Sequence, residues 1–554
     1  MNFLNDRKKV GVMRNLPAFF IIVLLMLPVL FLIFRLDFGF NENWIHFKTY
    51  LLGDAASNTA LLVIGTVLTT GTIGVLLAYG VTAYDFPFRG AIRWLLYLPL
   101  TIPPYIAAYV YSGMTSYTGV IQTTLRGWGI ILEPGSMSIS SIMGAVFIYT
   151  VTLYPYVYGI VRSFLENHSA GFVETARLHG FKAWRILFKV IFPLVRIPLI
   201  GGATLVIMEV ISDYGVVKYF GIRTLSSSIF SLWFGMGDSG VAVRLSFYIM
   251  VVIIMFLALE DLFRGGRRYG VSGIQPRRIE PVFIKGFKGK ALSTMMISFL
   301  LISFIVPVLQ MIYWATMAYE KVRLDNLSVI AFDSLFYSLL AAAIIILISV
   351  TLCHLQRWLN PNFKKAVGKL TQTGYAVPGA IIAIGTIMAF VSIDSTLYPL
   401  YKLIDPSTKK LVLSTSTIML LFAFVIRYMS IGYNTVNSGF SKIGTGFNDA
   451  ARIMGKTPGR ALLQVEIPMM LNSLASGFLL VFIDIMKELP LTLLLRPFNF
   501  NTLASRAYEY ANDERILESS IPSLLIIVIC MVSIAVFVAI NRKSRKGDKF
   551  DVEN

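Results

Sequence analysis

Four carboxylates stand where a hydrophobic chain has little use for them. Glu209 and Asp213 close one long apolar stretch, and Asp484 and Glu488 close another. Each pair is four residues apart, which places both acids on one face of a helix. Turned into a polar cavity, such a face offers oxygen donors, the ligands that hard cations favour. Counting ~1.5 Å per residue from Pro193 puts Glu209 about 24 Å and Asp213 about 30 Å along the helix. If that helix crosses a membrane, both acids fall in its outer half. A charge there costs at least ~2.5–3.5 kcal/mol and usually faces a water-filled pathway. The plainer alternative is an interfacial position, or pairing with Lys487 or Lys218. Tyr97, Tyr105, Tyr109 and Tyr214 lie nearby and could add phenolate oxygens, although interfacial tyrosines more often form an aromatic belt. The pattern names no particular metal.

Other chemistry is thinly represented. The two cysteines, Cys353 and Cys530, and the four histidines, His46, His168, His179 and His354, are scattered without ligand spacing. No nucleophile–base constellation stands out, so the chain is not expected to be an enzyme. It also lacks the G-x-x-x-x-G-K-[ST] phosphate loop; "GFKGKALST" has the wrong spacing. Any energy for work must come from a partner protein or an ion gradient.

A second pattern is repeated. "ETARLHGFKAWRILFKVIFP" (174–193) has a counterpart in "DAARIMGKTPGRALLQVEIP" (449–468), and Gly180 lies 275 residues before Gly455. The same offset carries Pro103 onto Pro378, Glu209 onto Asp484 and Asp213 onto Glu488. One shift that aligns helix breakers, a polar passage and two acidic pairs marks an internal repeat. The halves are 1–275 and 285–554, with 276–284 part of a basic linker. Within the first copy, Phe181, Trp184, Phe188 and Ile191 form one stripe of a short amphipathic helix, and Lys182, Arg185 and Lys189 form another. Glu174 is expected to open the preceding turn, where a carboxylate favours the positive helix end. Gly180 allows a sharp bend, and Pro193 suits the first turn of the next helix. A helix resting on lipid would look similar, but repetition at fixed spacing points to a docking element.

The elements that hold these residues follow from composition. Of 554 residues 56% are hydrophobic and only 14% charged, with mean hydropathy +0.71, against about 25% charged in soluble domains. Twelve apolar stretches have a length suited to crossing a membrane, near 15–34, 59–83, 94–112, 139–161, 197–216, 242–259, 291–318, 334–355, 373–393, 411–426, 469–486 and 521–540. The first is too long for a signal h-region and lacks a small-residue cleavage site, so it reads as a retained span. The runs do not alternate in polarity as barrel strands would. The class is therefore an all-α membrane protein of 12 transmembrane helices, arranged as two parallel six-helix repeats about an axis along the membrane normal. The net charge of +19 sits in alternate loops and in the 264–290 linker. That is the positive-inside bias, which puts both termini in the cytoplasm and requires no nucleic-acid partner.

Glu174, Ala176, Gly180, Val190 and Pro193 in one copy, and Asp449, Ala450, Ala451, Gly455, Val465, Ile467 and Pro468 in the other, resemble the EAA loop of ABC importer permeases. Thr175 and Asp449 depart from that pattern. "SDYGVVKYFGIRTLSSSIFSLWFGMGD" and "KELPLTLLLRPFNFNTLASRAYEYANDER" are similar to the ferric-iron branch, whose members fuse two six-span halves. The resemblance implies a type I importer fold in a bacterial inner membrane. It further implies two copies of a cytoplasmic ATPase held by the loops, with ATP used there, and an extracytoplasmic binding protein delivering ferric iron. Helix breaks are expected at Pro103 and Pro378. The acids Glu209, Asp213, Asp484 and Glu488 would line the translocation pathway. An importer of thiamine or another small solute shares these features. An ion-coupled secondary transporter would also want intramembrane acids, but needs no repeated docking loop.

Overall fold

Proline and small residues decide where this apolar chain stops being helical. The computed structural model describes residues 2–131, 133, 135–168, 170–264, 280–284, 286–322, 324–357, 359–444 and 446–550. Most of the basic linker, 265–279, lies outside the described residues. Apart from one two-residue strand pairing, Tyr84–Asp85 with Val282–Phe283, the described elements are helical.

Among the described residues nine helices are long and apolar enough to cross a membrane, or eleven if two bent pairs each count as one span. The bends are 70° between Trp184–Leu194 and Arg196–Ser212, and 77° between Pro458–Met469 and Leu471–Met486. These nine helices and two pairs account for all of the expected stretches but one, the 94–112 region. There the chain forms Arg89–Leu95, a 3-10 turn at Leu98–Thr101, and a helix beginning at Pro104. Pro99, Pro103 and Pro104 lack the N–H that a continuous helix would need. The equivalent stretch of the second half carries only Pro378 and breaks once, between the helices Pro361–Ala376 and Gly379–Ile404.

Each half is built on the same trio. Ile142–His168 packs against Leu52–Ala83 and Arg196–Ser212 in the first half. Thr417–Ile443 packs against Leu324–Leu355 and Leu471–Met486 in the second. The repeat extends to single hydrogen bonds. Leu225 N–H donates to Thr59 Oγ1 (3.0 Å), and Leu503 N–H donates to Ser334 Oγ (2.8 Å). Each donor is the first helical residue within a capping box, Thr224 with Ser227 and Thr502 with Ser505, which satisfies otherwise orphaned helix N–H groups.

The halves are interlocked. The first helix, Asn2–Phe34, lies along Gly379–Ile404 of the other half, and Val306–Ala318 lies along Pro104–Thr115 of the first. Gly385 permits the first crossing: a Cβ there would sit 2.3 Å from the Pro28 carbonyl oxygen.

Candidate functional site

The repeated trio ends in acids. Arg196–Ser212 stops just before Asp213, and Leu471–Met486 stops just before Lys487 and Glu488. Glu209, Asp213, Asp484 and Glu488 all line one cavity between the halves. Its remaining wall includes Pro103, Pro104 and Tyr105, Thr152, Leu153 and Tyr156, Ser212, Arg427, Tyr428 and Lys487. Pro103 and Pro378 occupy matching helix starts, each with extended backbone (ψ 142°), but only Pro103 borders the cavity.

The acids have different partners. Asp213 Oδ2 accepts from the Tyr149 hydroxyl and the Val216 N–H, both at 2.9 Å. Glu488 accepts from the Leu491 N–H (2.9 Å) and the Tyr428 hydroxyl, and pairs with Arg427 Nε at 3.3 Å. Asp484 pairs with Lys487 at 3.0 Å, and the same ammonium donates to the Leu100 carbonyl of the other half at 3.3 Å. Glu209 lies within electrostatic reach of both cations. The cavity thus combines four carboxylates with two cations, a fixed charge of about −2 with every group ionised. Among the described residues the Tyr105 hydroxyl and Arg427 Nη1 are buried without a hydrogen-bond partner, and an unpaired buried polar atom is costly. Among the described residues no three His, Cys, Asp or Glu side chains gather closely enough to hold a metal ion.

Arg427 and Tyr428 escaped the sequence reading. The signal was present: an arginine inside "LLFAFVIRYMSIGY" interrupts an apolar run. Its effect was to end the expected stretch at residue 426, whereas the helix continues to Ile443. Of the four tyrosines considered as ligands only Tyr105 borders the cavity. The Tyr109 hydroxyl meets Ser523, Tyr97 packs on Tyr158, and Tyr214 stacks on Phe230 with ring centroids 3.7 Å apart.

The repeated polar passages form two matching loops. Helix Ala170–Leu178 ends at Gly180 (φ +71°), and Gly446–Ile453 ends at Gly455 (φ +83°). At each bend the glycine N–H and the following N–H close the helix, from Gly180 to Arg177 O and Phe181 to Ala176 O, and from Gly455 to Arg452 O and Lys456 to Ala451 O. This is the Schellman pattern, which requires the left-handed region that glycine tolerates. Glu174 lies in the middle of its helix rather than in the opening turn, because the helix starts earlier than its charge pattern implies. Asp449 does occupy a first turn and is exposed. Ala176 and Ala451 are buried beneath the loops, while Ala450 is exposed.

The expected apolar stripe is split: Phe181, Trp184 and Phe188 are exposed and Ile191 is buried. Each second helix passes into a π-helical turn, Leu187–Ile191 and Leu462–Glu466, whose extra residue per turn shifts the register. Ile186 and Ile191 are buried, whereas Trp184 (70% exposed) and Phe188 (47%) face outward. Exposed apolar residues recur at the repeat offset: Phe172 with Phe447, Leu178 with Ile453, and Phe188 with Leu463.

The profile of the binding-protein-dependent transport system inner membrane component matches the chain twice, over residues 70–268 and 353–546. The chain is 22% identical over 516 residues to the Fe(3+)-transport system permease protein FbpB 2 of Haemophilus influenzae, covering 91% of this chain and 93% of that one. Shorter similarities join it to the molybdenum transport system permease protein ModB of Escherichia coli, 25% identical over 34% of this chain and 82% of the relative. The sulfate transport system permease protein CysT of Escherichia coli is 24% identical over 37% of this chain and 76% of its own length.

Proposed function

Because the chain belongs to the family of binding-protein-dependent transport inner membrane components, we propose that it is the fused permease of an ATP-driven importer whose cavity passes ferric iron. It is a multi-pass membrane transport protein, not an enzyme. The meeting of both acidic pairs in one cavity between the halves carries the reading. A fixed surplus of carboxylate oxygen attracts a hard cation. One relative spanning nearly the whole chain is named as an Fe(3+)-transport system permease protein. Residues 1–275 and 285–554 act as two halves, joined through the 276–284 region.

The two glycine-bent loops are handles for two copies of a cytoplasmic ATPase, which supplies the ATP hydrolysis. Their matched apolar side chains provide the exposed surface that a partner would cover. An extracytoplasmic binding protein delivers the substrate to the opposite face. Both termini and the linker lie in the cytoplasm, so an impermeant thiol reagent should fail to label a cysteine introduced near residue 275 in intact cells.

The deciding experiment is uptake of labelled ferric iron by cells expressing the chain with its cognate ATPase and binding protein. Iron uptake that vanishes in the Glu209→Gln/Asp484→Asn variant, normalised to membrane-inserted protein, is the expected result. Unchanged normalised uptake removes the acids from the pathway. A second reading, an oxyanion substrate, is favoured by Arg427 and Lys487 in the same wall. Molybdate or sulfate uptake in place of iron would establish it.

A further inference from the structure

We propose that Lys487 is a tethered stand-in for the transported cation: it neutralises Asp484 and clasps the two halves in the unloaded permease, and an arriving cation displaces it. The proposal rests on the cavity being a cation pathway.

The repeat shows that this position needs no cation for folding. At the offset of 275 residues Lys487 corresponds to Ser212, which lines the same cavity from the other half. Both positions close a helix of the same trio, so the helix end alone does not demand an ammonium. A lysine there is favoured by the negative helix C-terminus, but its reach goes further. It contacts Asp484 in its own half (3.0 Å) and the Leu100 carbonyl in the other (3.3 Å). Leu100 lies in the 3-10 turn that leads to the cavity-lining Pro103. One ammonium therefore links the carboxylate to the opposite wall.

The two cations of the cavity differ in freedom. Arg427 is confined: its guanidinium pairs with buried Glu488, and a Cβ added to Gly379 would lie 2.7 Å from its Nη1. Arginine's rigid fork also holds such a site in one geometry. Lys487 carries a compact charge on a flexible stem, with three rotatable donors. It can release both contacts by side-chain rotation while the backbone stays in place. A cation beside Asp484 repels the ammonium and takes over its carboxylate. The Leu100 contact is then lost as well, so cation occupancy and the cross-half clasp exclude one another.

This predicts an apparent affinity lowered by the fraction of time that Lys487 holds Asp484. Removing the ammonium should raise it about tenfold or more. Terbium(III) is a suitable probe: it is trivalent, seeks oxygen ligands, and its luminescence is sensitised by tyrosine, of which Tyr105, Tyr156 and Tyr428 line the cavity. The full chain in lipid nanodiscs is titrated with Tb(III). Lys487→Met should bind more tightly than the unmodified protein, Lys487→Arg should not, and Glu209→Gln should bind more weakly. A second measurement needs no variant. Tb(III) should increase reductive methylation of Lys487, read by mass spectrometry, because the displaced amine becomes accessible.

Unchanged Tb(III) affinity in Lys487→Met and unchanged Lys487 reactivity, with Glu209→Gln still weakened, overturn the stand-in role and leave the cation pathway intact. If Glu209→Gln and Asp484→Asn also leave Tb(III) binding untouched, the pathway reading itself fails. Weaker binding of molybdate or sulfate in Lys487→Met, with no Tb(III) binding by any form, overturns both in favour of an anion substrate.

Discussion

The first half lines the central cavity with Thr152, Leu153 and Ser212 where the second half places Arg427, Tyr428 and Lys487, on helices that superpose residue for residue along the sequence. The acids are kept at both positions, as Glu209 with Asp484 and Asp213 with Glu488. Duplication has preserved the carboxylates and the backbone that carries them, while all of the compensating positive charge came to one side. A symmetric charge pattern would present the same surface to an ion from both walls. The asymmetric one makes the first wall the more attractive and the second partly neutralised.

The same contrast recurs beneath the loops. Buried Glu466 pairs with Arg357, stands 3.8 Å from His354 Nδ1, and is matched in the first half by Ile191. Arg357 also donates to the Gly444 carbonyl at 3.2 Å, tying the start of the second loop to the segment that follows Leu324–Leu355. The first half puts its ionic network elsewhere. Glu166 there pairs with Arg93 (2.8 Å) and Arg162 (2.7 Å). The two loops have one shape and two kinds of anchor.

The sharpest way to break the equivalence of the loops is at their bends. Proline fixes φ near −65° and removes the N–H, whereas Gly180 and Gly455 sit at +71° and +83° and donate to Arg177 and Arg452 carbonyls. Gly180→Pro or Gly455→Pro should each abolish substrate-stimulated ATP hydrolysis and uptake, with membrane insertion retained. Normal stimulation in either variant would remove that loop from energy coupling.

The anchors should separate next. Glu466→Ala leaves a guanidinium buried without its carboxylate and should cost about 3–5 kcal/mol. Ile191→Val at the matching site should cost only about 0.5–1.5 kcal/mol. Thermal unfolding of the two variants in detergent measures the difference, and equal losses would mean that the ion pair contributes nothing beyond packing.

These contrasts also mark what the sequence could disclose. The 275-residue offset was legible because glycine, proline and carboxylates occupy positions that the backbone dictates, and those residues punctuate an otherwise uniform apolar text. Helix spacing pointed to the acids but did not place them: Glu209 and Asp484 lie on the helices, whereas Asp213 and Glu488 fall just past the helix ends, so neither pair shares a helix face. Arg427 could not be paired with Glu488 in this way, because they lie 61 residues apart in the chain and meet only when two helices pack. Lys487 was visible as a possible partner of the acids, but its bond to Leu100 crosses between halves and has no local signature. The π-helical turns were hidden for a different reason. A 3.6-residue period puts Phe181, Trp184, Phe188 and Ile191 on one stripe, and the wider turn at Leu187–Ile191 carries Ile191 inward, away from the exposed three. The break near Pro99 to Pro104 was written in the prolines, yet the hydropathy of the region reads through them.

The smallest expected effect tests whether the two handles hold identical motors. Leu178 and Ile453 are equivalent by sequence and each is 88% exposed. Each follows the acidic residue of its loop by four positions and stands two residues before the bend. Neither supports the fold, so truncation to alanine should leave stability unchanged. If each inserts into one copy of the same ATPase, both lose a similar apolar contact. Most interface truncations cost about 1 kcal/mol or less, and only buried anchors exceed that. Leu178→Ala and Ile453→Ala should therefore weaken association of the ATPase with the detergent-solubilised permease by about fivefold each. The effects should add when combined, because the two side chains lie on separate loops. Titrating the labelled ATPase against each variant gives the two losses directly. A loss confined to one variant would show that the differently anchored loops grip their partners differently, carrying the asymmetry of the cavity through to the motor.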